Sequence, residues 1–250
     1  MVNKVAWITG AGSGIGEASA IKLSDEGFIV VLSGRTKQAL DNVASKCKGE
    51  ASVKPLDVSN SEDVKDVFES IISEYGRIDV LVASAGLNAK NRNWHNVSEE
   101  DFDQIIKIDL NGVFYTNRLV LEKMKEQRDG LIINISSWAG KYVTSLTGPA
   151  YTAAKHGVNA LTEGINMEAG HFGVRACAIC PGEVATPILD KRPIPVSKED
   201  KEKMVQSEDC AETVVFLAKL PPRVCINEIT ISPTWNRLYV AGLTDQIPQN

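Results

Sequence analysis

Thr9-Gly10-Ala11-Gly12-Ser13-Gly14-Ile15-Gly16 follows the apolar run Val5-Ala6-Trp7-Ile8 and leads straight into a helical pattern that begins near Ile15. Glycines let a backbone turn tightly and approach a ligand where a Cβ would collide. The N-terminus of the helix that follows offers unpaired N–H groups to a phosphate. Strand, glycine-rich turn and helix in this order are what a dinucleotide site requires. The spacing is not G-x-G-x-x-G, because Ile stands at position 15.

Outward from this turn, short runs rich in Val and Ile recur near 4–9, 28–33, 52–56, 78–83, 130–136, 174–180 and 226–231. They alternate with amphipathic stretches near 15–26, 37–47, 62–75, 99–127, 150–170 and 208–219. That alternation predicts an α/β fold of repeated βαβ units around a parallel sheet. Ile78 to Ala83 and Leu131 to Ile135 are apolar except for Asp79 and Asn134 and do not alternate, so both faces of the sheet are expected to carry helices. No repeat, low-complexity tract or linker divides the chain, which predicts one domain over 1–250. The Pro-rich interval Arg192-Pro193-Ile194-Pro195 sits in a long connection, expected to be a substrate loop near 187–205 or else disordered. Ser197-Lys198-Glu199-Asp200 could cap a short helix there.

The bulk properties exclude several partners. A chain of 250 residues with 43% hydrophobic content is long enough to bury roughly 70–75% of the surface its unfolded form exposes. The net charge is -5 and no basic block could track a phosphate backbone, so nucleic acid is not expected. No apolar run reaches the roughly 18–20 residues of a membrane span, and nothing before Val5 has the order of a signal peptide. A cytoplasmic location with its five cysteines reduced is therefore expected. Cys177 and Cys180 form a C-x-x-C inside a strand run, where residues three apart point to opposite faces and make a poor chelate or redox pair. No His, Cys and carboxylate cluster has the spacing of a catalytic metal site.

The second strand ends Val31-Leu32-Ser33-Gly34-Arg35-Thr36, without the acid that an NAD-preferring site usually offers to the ribose. Arg35, with Ser33 beside it, would clamp a 2'-phosphate by charge-assisted hydrogen bonds, or else it is a solvated residue opening the next loop. NADP(H) is the favoured cofactor and NAD(H) is possible. Farther on, Tyr151 and Lys155 lie four apart at the start of a predicted helix and share one face. A tyrosine titrates near pH 10 and a neighbouring ammonium favours its phenolate, which suits a general acid/base. The preceding strand ends Asn134-Ile135-Ser136-Ser137 at the carboxyl edge of the sheet, where ligands sit in open α/β folds.

Thr9, Gly10, Gly14 and Gly16, together with Ser137, Tyr151 and Lys155, resemble the T-G-x-x-x-G-x-G turn and the reacting centre of the short-chain dehydrogenase/reductase family. The resemblance covers nearly the whole chain. It implies a Rossmann-like, doubly wound parallel sheet of seven strands with helices on both faces, an NAD(P) cofactor, and a homotetramer or homodimer. It implies an oxidoreductase that moves a hydride between the nicotinamide and a carbonyl/alcohol pair of a small metabolite.

In that scheme Ser137 binds the substrate oxygen, Tyr151 exchanges the proton, and Lys155 tunes Tyr151 and holds the nicotinamide ribose. Gly10, Ser13, Gly14, Ile15 and Gly16 would cradle the pyrophosphate, Ser33 and Arg35 the adenosine ribose end, and Asp57 with Val58 the adenine. The plain alternative for Asp57 is capping of the following helix. Ala85 and Gly86 would line the nicotinamide side. Pro181, Gly182, Val184 and Thr186 match the P-G turn that orients the carboxamide and pyrophosphate.

Three departures stand out. Ser84 replaces the Asn of N-A-G, and Asp109 replaces the Asn of N-L-x-G. That asparagine helps relay protons to the lysine through its main chain, so Asp109 is grouped with the catalytic residues. Tyr151 also follows Ser137 by fourteen residues, one more than usual, which implies a one-residue insertion in 138–149.

Gly86 to His95, Trp138 to Leu146 and Pro187 to Met204 are the expected pocket walls. Lys90, Arg92, His95, Lys141, Lys191 and Arg192 there would form a cationic mouth or simply be solvated. Trp94, Trp138 and Tyr142 would be apolar walls or packing. His95 and His156 are expected to be structural. The alternative to an enzyme is a nucleotide-binding regulator or scaffold on the same fold, and a dehydratase or epimerase is a further one.

Overall fold

Seven parallel strands form one sheet in the order β3-β2-β1-β4-β5-β6-β7. They are β1 (Val5–Thr9), β2 (Ile29–Ser33), β3 (Ala51–Val53), β4 (Val80–Ala83), β5 (Gly130–Ile135), β6 (Val174–Pro181) and β7 (Glu228–Ile231). The structure is a computed structural model that describes residues 4–191, 196–236 and 239. The strand order reverses between β1 and β4. At such a reversal the chains leaving neighbouring strands diverge and open a crevice beyond the carboxyl edge.

Alternate residues of each strand enter two separate cores. Ile8, Leu32, Val82 and Ile133 pack with Leu23 of α1 (Gly14–Asp25), Leu40 of α2 (Lys37–Ala44) and Val214 of α8 (Ser207–Lys219). Trp7, Val31, Leu81 and Ile132 pack on the other face with Ile71 of α3 (Ser61–Tyr75), Met124 of α5 (Gly112–Gln127) and Ile165 of α6 (Pro149–Ala169). Both sheet faces are covered, which explains why β4 and β5 show no polar alternation. Two shorter helices complete the described set, α4 (Glu99–Ile106) and α7 (Lys198–Glu202).

Local signals account for several helix ends. Ser98 accepts the Asp101 N–H at 3.0 Å and Asn60 accepts the Glu62 N–H at 3.1 Å. Gly76 ends α3 at φ +73. Ser197 caps α7 by accepting the Asp200 N–H at 3.0 Å. The Pro-rich interval 192–195 lies outside the described residues.

Two boundaries differ from the sequence pattern. The third strand ends at Val53, although the Lys54 and Leu56 N–H groups still reach the Leu32 and Gly34 carbonyls at 3.0 Å on either side of Pro55. The stretch 99–127 is not one α-helix. Lys107–Asn111 form a π-helical turn between α4 and α5, which accommodates one extra residue. Just beyond it, a Cβ on Gly112 would lie 2.8 Å from Val58 Cγ2, so the helix passes hard against the segment after β3.

Candidate active site

The crevice at the β1/β4 reversal is a cleft of about 540 Å³. Its floor is the glycine turn. Gly10 has φ +64, and a Cβ there would stand 2.7–2.8 Å from the backbone of Ser84 and Ala85. A Cβ on Gly16 would meet the Gly10 carbonyl oxygen at 2.3 Å, so Gly16 closes the turn from behind instead of lining the cleft. Gly14 has φ +58 and faces the Thr186 methyl, which a Cβ would approach to 3.2 Å. Gly12, Ser13, Gly14 and Ile15 border the cleft where α1 begins. A backbone cradle that side chains would fill, at the positive end of a helix, fits a pyrophosphate.

Where the family asparagine is replaced, Thr9 Oγ1 accepts the Ser84 and Ala85 N–H groups at 3.2 and 3.4 Å. The loop leaving β4 is thus tied to β1 through its own backbone, and Ala85 and Gly86 line the cleft.

At the far end, Arg35 is exposed and lines the cleft with Asp57 and Val58. Burial pushes the Asp57 pKa up, but hydrogen bonds from Ser59 and the charges of Arg35 and Lys107 outweigh it and hold the carboxyl below its ordinary value. Asp57 Oδ1 accepts the Ser59 N–H at 2.9 Å, while the cap of α3 itself is Asn60. Ser33 is placed otherwise. Its side chain is fully buried and accepts the Trp7 indole N–H at 2.9 Å, beneath the cleft and not in it.

At the near end, Ser137, Tyr151 and Lys155 converge on one wall. Ser137 has extended backbone at the end of β5 and accepts the Ala139 N–H at 3.1 Å, which leaves its hydroxyl proton to point elsewhere. Ser136 is turned inward and donates to the Lys155 carbonyl at 3.3 Å. Tyr151 and Lys155 occupy the first turns of α6, which starts at Pro149 after Gly148 (φ +77). Burial raises the Tyr151 pKa above its ordinary value. The positive charges of Lys155 and Arg92 and a hydrogen bond with Ser137 pull against that rise. Lys155 is buried, donates to the Ile135 carbonyl at 3.1 Å, and has its Nζ 5.4 Å from the centre of the Tyr151 ring. Behind it, on the π-turn, Asp109 Oδ2 lies 3.5 Å from Lys155 Nζ. Contact is therefore through the Asp109 side chain, where the sequence resemblance implied a role through the main chain.

The turn after β6 closes the cleft above. Gly182 N–H bonds to the Ile231 carbonyl at 2.7 Å and Ala185 N–H to the Val205 carbonyl at 2.9 Å. Pro181, Gly182, Val184 and Thr186 all line the cleft. Of the basic residues expected at the mouth, Arg92 is buried in the cleft wall at 7% exposure, whereas Lys90 and His95 are exposed and Lys141 pairs with Glu228. Trp138 lines the cleft and meets Tyr142 at a tilt and Tyr239 edge-on, at 4.8 and 5.4 Å between ring centres. Trp94 is 86% exposed and borders a second hollow. His156 is exposed, with Nδ1 2.9 Å from the Thr152 carbonyl oxygen. Asn236, 4% exposed and beyond β7, also reaches the cleft. No sequence signal marked it, because only the return of the chain across the sheet edge brings it there.

A family model described as short chain dehydrogenase matches residues 4–194. An uncharacterized oxidoreductase of Staphylococcus aureus (strain USA300) is 36% identical over 236 residues, which are 93% of this chain and 98% of that protein. Among solved structures, the closed form of serine dehydrogenase complexed with NADP+ superposes with a TM-score of 0.84 at 29% identity, covering 92% of this chain and 94% of its own. The 3-ketoacyl-(acyl-carrier-protein) reductase from Brucella melitensis, complexed with NADH, gives 0.84 at 28% identity, with 94% and 99% covered.

Proposed function

This chain belongs to the short-chain dehydrogenase family, and from that premise we propose that it is an NADP(H)-preferring oxidoreductase for a carbonyl/alcohol pair of a small metabolite, with Tyr151 as general acid/base. The supporting observation is the meeting of Ser137, Tyr151 and Lys155 in the same cleft that has the glycine cradle as its floor. A bound nicotinamide supplies or accepts the hydride. Ser137, its oxygen already accepting from Ala139, donates to the substrate oxygen and steadies charge developing on it. Tyr151 gives its phenol proton to that oxygen in reduction and takes it back in oxidation. Lys155 orients the ring and supplies positive charge beside it. Arg35, which lines the cleft, would receive the 2'-phosphate, and the absence of an acid at the end of β2 supports that reading.

The experiment is a screen of carbonyls and alcohols followed by absorbance of the reduced nicotinamide, with Tyr151→Phe alongside. A general acid is worth roughly 10²–10⁴-fold, so kcat/KM falls by about that factor while cofactor affinity is kept. Unchanged activity in Tyr151→Phe overturns the mechanism. The regulator reading would show cofactor binding and no turnover in either protein.

The proposal includes one NAD(P)-binding domain over 1–250 with a substrate loop near 187–205. It also includes a homotetramer or homodimer, supported by Phe102 and Phe114, which stand 37% and 45% exposed on α4 and α5. A cytoplasmic location agrees with five unpaired cysteines.

A further inference from the structure

A buried carboxylate stands behind Lys155, and no step of the proposed reaction uses it. Asp109 has 0% exposure. Its Oδ1 accepts the Leu87 N–H at 2.8 Å, and its Oδ2 lies 3.5 Å from Lys155 Nζ with no hydrogen bond among the described residues. Gly86 keeps this space open, since a Cβ there would sit 3.2 Å from Asp109 Oδ2 and 3.5 Å from Lys155 Nζ. Carboxylate and ammonium are thus packed together away from water, with the half-buried Tyr151 between them and the cleft.

An asparagine at 109 would also accept the Leu87 N–H, though less strongly, so that bond alone does not call for a carboxylate. What the carboxylate adds is charge, and a charge is expensive to bury unless it meets its opposite. We propose that Asp109 is a positioning residue acting through Lys155: its carboxylate holds the ammonium against β5 and the β4 loop and cancels much of its charge, which displaces turnover in both directions to higher pH. This rests on the reading of Tyr151 as acid/base.

The electrostatics point the same way. Burial raises the Tyr151 pKa, Lys155 lowers it, and Asp109 raises it again. Burial lowers the Lys155 pKa, but Asp109 and Tyr151 outweigh that and hold the ammonium above its ordinary value. Burial pushes Asp109 up to about 6 against the pull of Lys155 and the Leu87 N–H, so above that pH the carboxylate carries its charge. The other groups facing this cluster are Arg92 from the segment after β4, Ser137 after β5 and Cys180 on β6.

The sign follows from which form of Tyr151 each direction needs. Alcohol oxidation needs the phenolate and speeds up as pH climbs through the Tyr151 pKa. Carbonyl reduction needs the phenol and slows over the same range. Removing the Asp109 charge lowers that pKa, so both midpoints move to acid, by about one pH unit or more for a charge at this range.

The test uses the whole protein with Asp109→Asn and Asp109→Ala. Tyrosinate formation is followed by ultraviolet difference titration with the Tyr151→Phe signal subtracted, and pH profiles of kcat/KM are measured in parallel. Both variants should titrate Tyr151 about one unit or more below the parent, and an unmoved midpoint overturns the proposal. If circular dichroism shows that neither variant folds, Asp109→Ser is read in their place. A Tyr151 midpoint below the parent's supports a neutralised lysine, and one at or above the parent's refutes it. Because the titration needs no substrate, a shifted midpoint with no alcohol or carbonyl turned over would uphold the pairing and defeat the oxidoreductase reading instead.

Discussion

Replacing Gly10 by alanine tests whether the turn after β1 is shaped by contact or merely by freedom. Two costs add. A left-handed backbone at φ +64 costs an L-residue roughly 1–2 kcal/mol. A Cβ placed 2.7–2.8 Å from Ala85 N, Ala85 Cα and Ser84 C meets backbone that has no rotamer to yield, and overpacking of that kind costs about 1–3 kcal/mol more. The expected loss is therefore roughly 2–5 kcal/mol, a large share of the ~5–15 kcal/mol typical of a folded protein.

Gly27 supplies the comparison. It has φ +85 with nothing within 4 Å of an added Cβ, so Gly27→Ala should show the conformational cost alone. Any gain from stiffening the unfolded chain is common to both and cancels. Urea unfolding followed by circular dichroism gives the two stabilities, and titration with NADPH fluorescence gives the cofactor affinity. Gly10→Ala should be the less stable by about 1–3 kcal/mol and should bind cofactor at least about tenfold more weakly, since one tenfold step is only ~1.4 kcal/mol. Equal stabilities with unchanged affinity would refute the steric account of the cradle.

Two further outcomes follow from the same geometry. Arg35→Ala should weaken NADP(H) by roughly 10–100-fold, the worth of one charge-assisted hydrogen bond at ~1.5–3 kcal/mol, and leave NAD(H) nearly unchanged; equal losses in paired titrations would remove the phosphate clamp. Burial pushes the thiols of Cys177 and Cys210 up to about 12, and it raises those of Cys47 and Cys180 as well. Cys225 is the exposed one, so a colorimetric thiol reagent should label it first in the native protein and all five after unfolding; fast labelling of Cys177 or Cys210 would contradict their placement in the core.

Much of this architecture is legible in the chain because its signals are local. The glycines at 10, 14 and 16 mark a turn wherever it occurs. Unbroken apolar runs such as Val80 to Ala83 announce a strand buried on both faces, and four-residue spacing puts Tyr151 over Lys155. What escapes depends on direction or on distant partners. Ser33 sits at the end of a strand buried on both sides, where polarity gives no clue to which way a hydroxyl points, and it turns toward Trp7. Lys141 meets Glu228 across 87 positions, and Arg92 sinks into the wall while Lys90 two residues earlier stays out. Lys107-Ile108-Asp109-Leu110-Asn111 has an ordinary helical composition, so its wider turn is set by packing and not by propensity.

That wider turn makes the stretch from Glu99 to Gln127 a question of counting. Each residue of an α-helix advances the rotation by about 100°, so one surplus residue resets the angular phase between the two halves of the rod. Ile105 ahead of it packs on Ala150 and Ala154, while Val120 and Met124 behind it pack against the sheet. Deleting a single residue between 107 and 111 would restore uniform winding and leave one of those two faces misaligned, with Asp109 rotated off the lysine. Its exposed positions should accept many changes of residue, but the stretch as a whole almost no change of length.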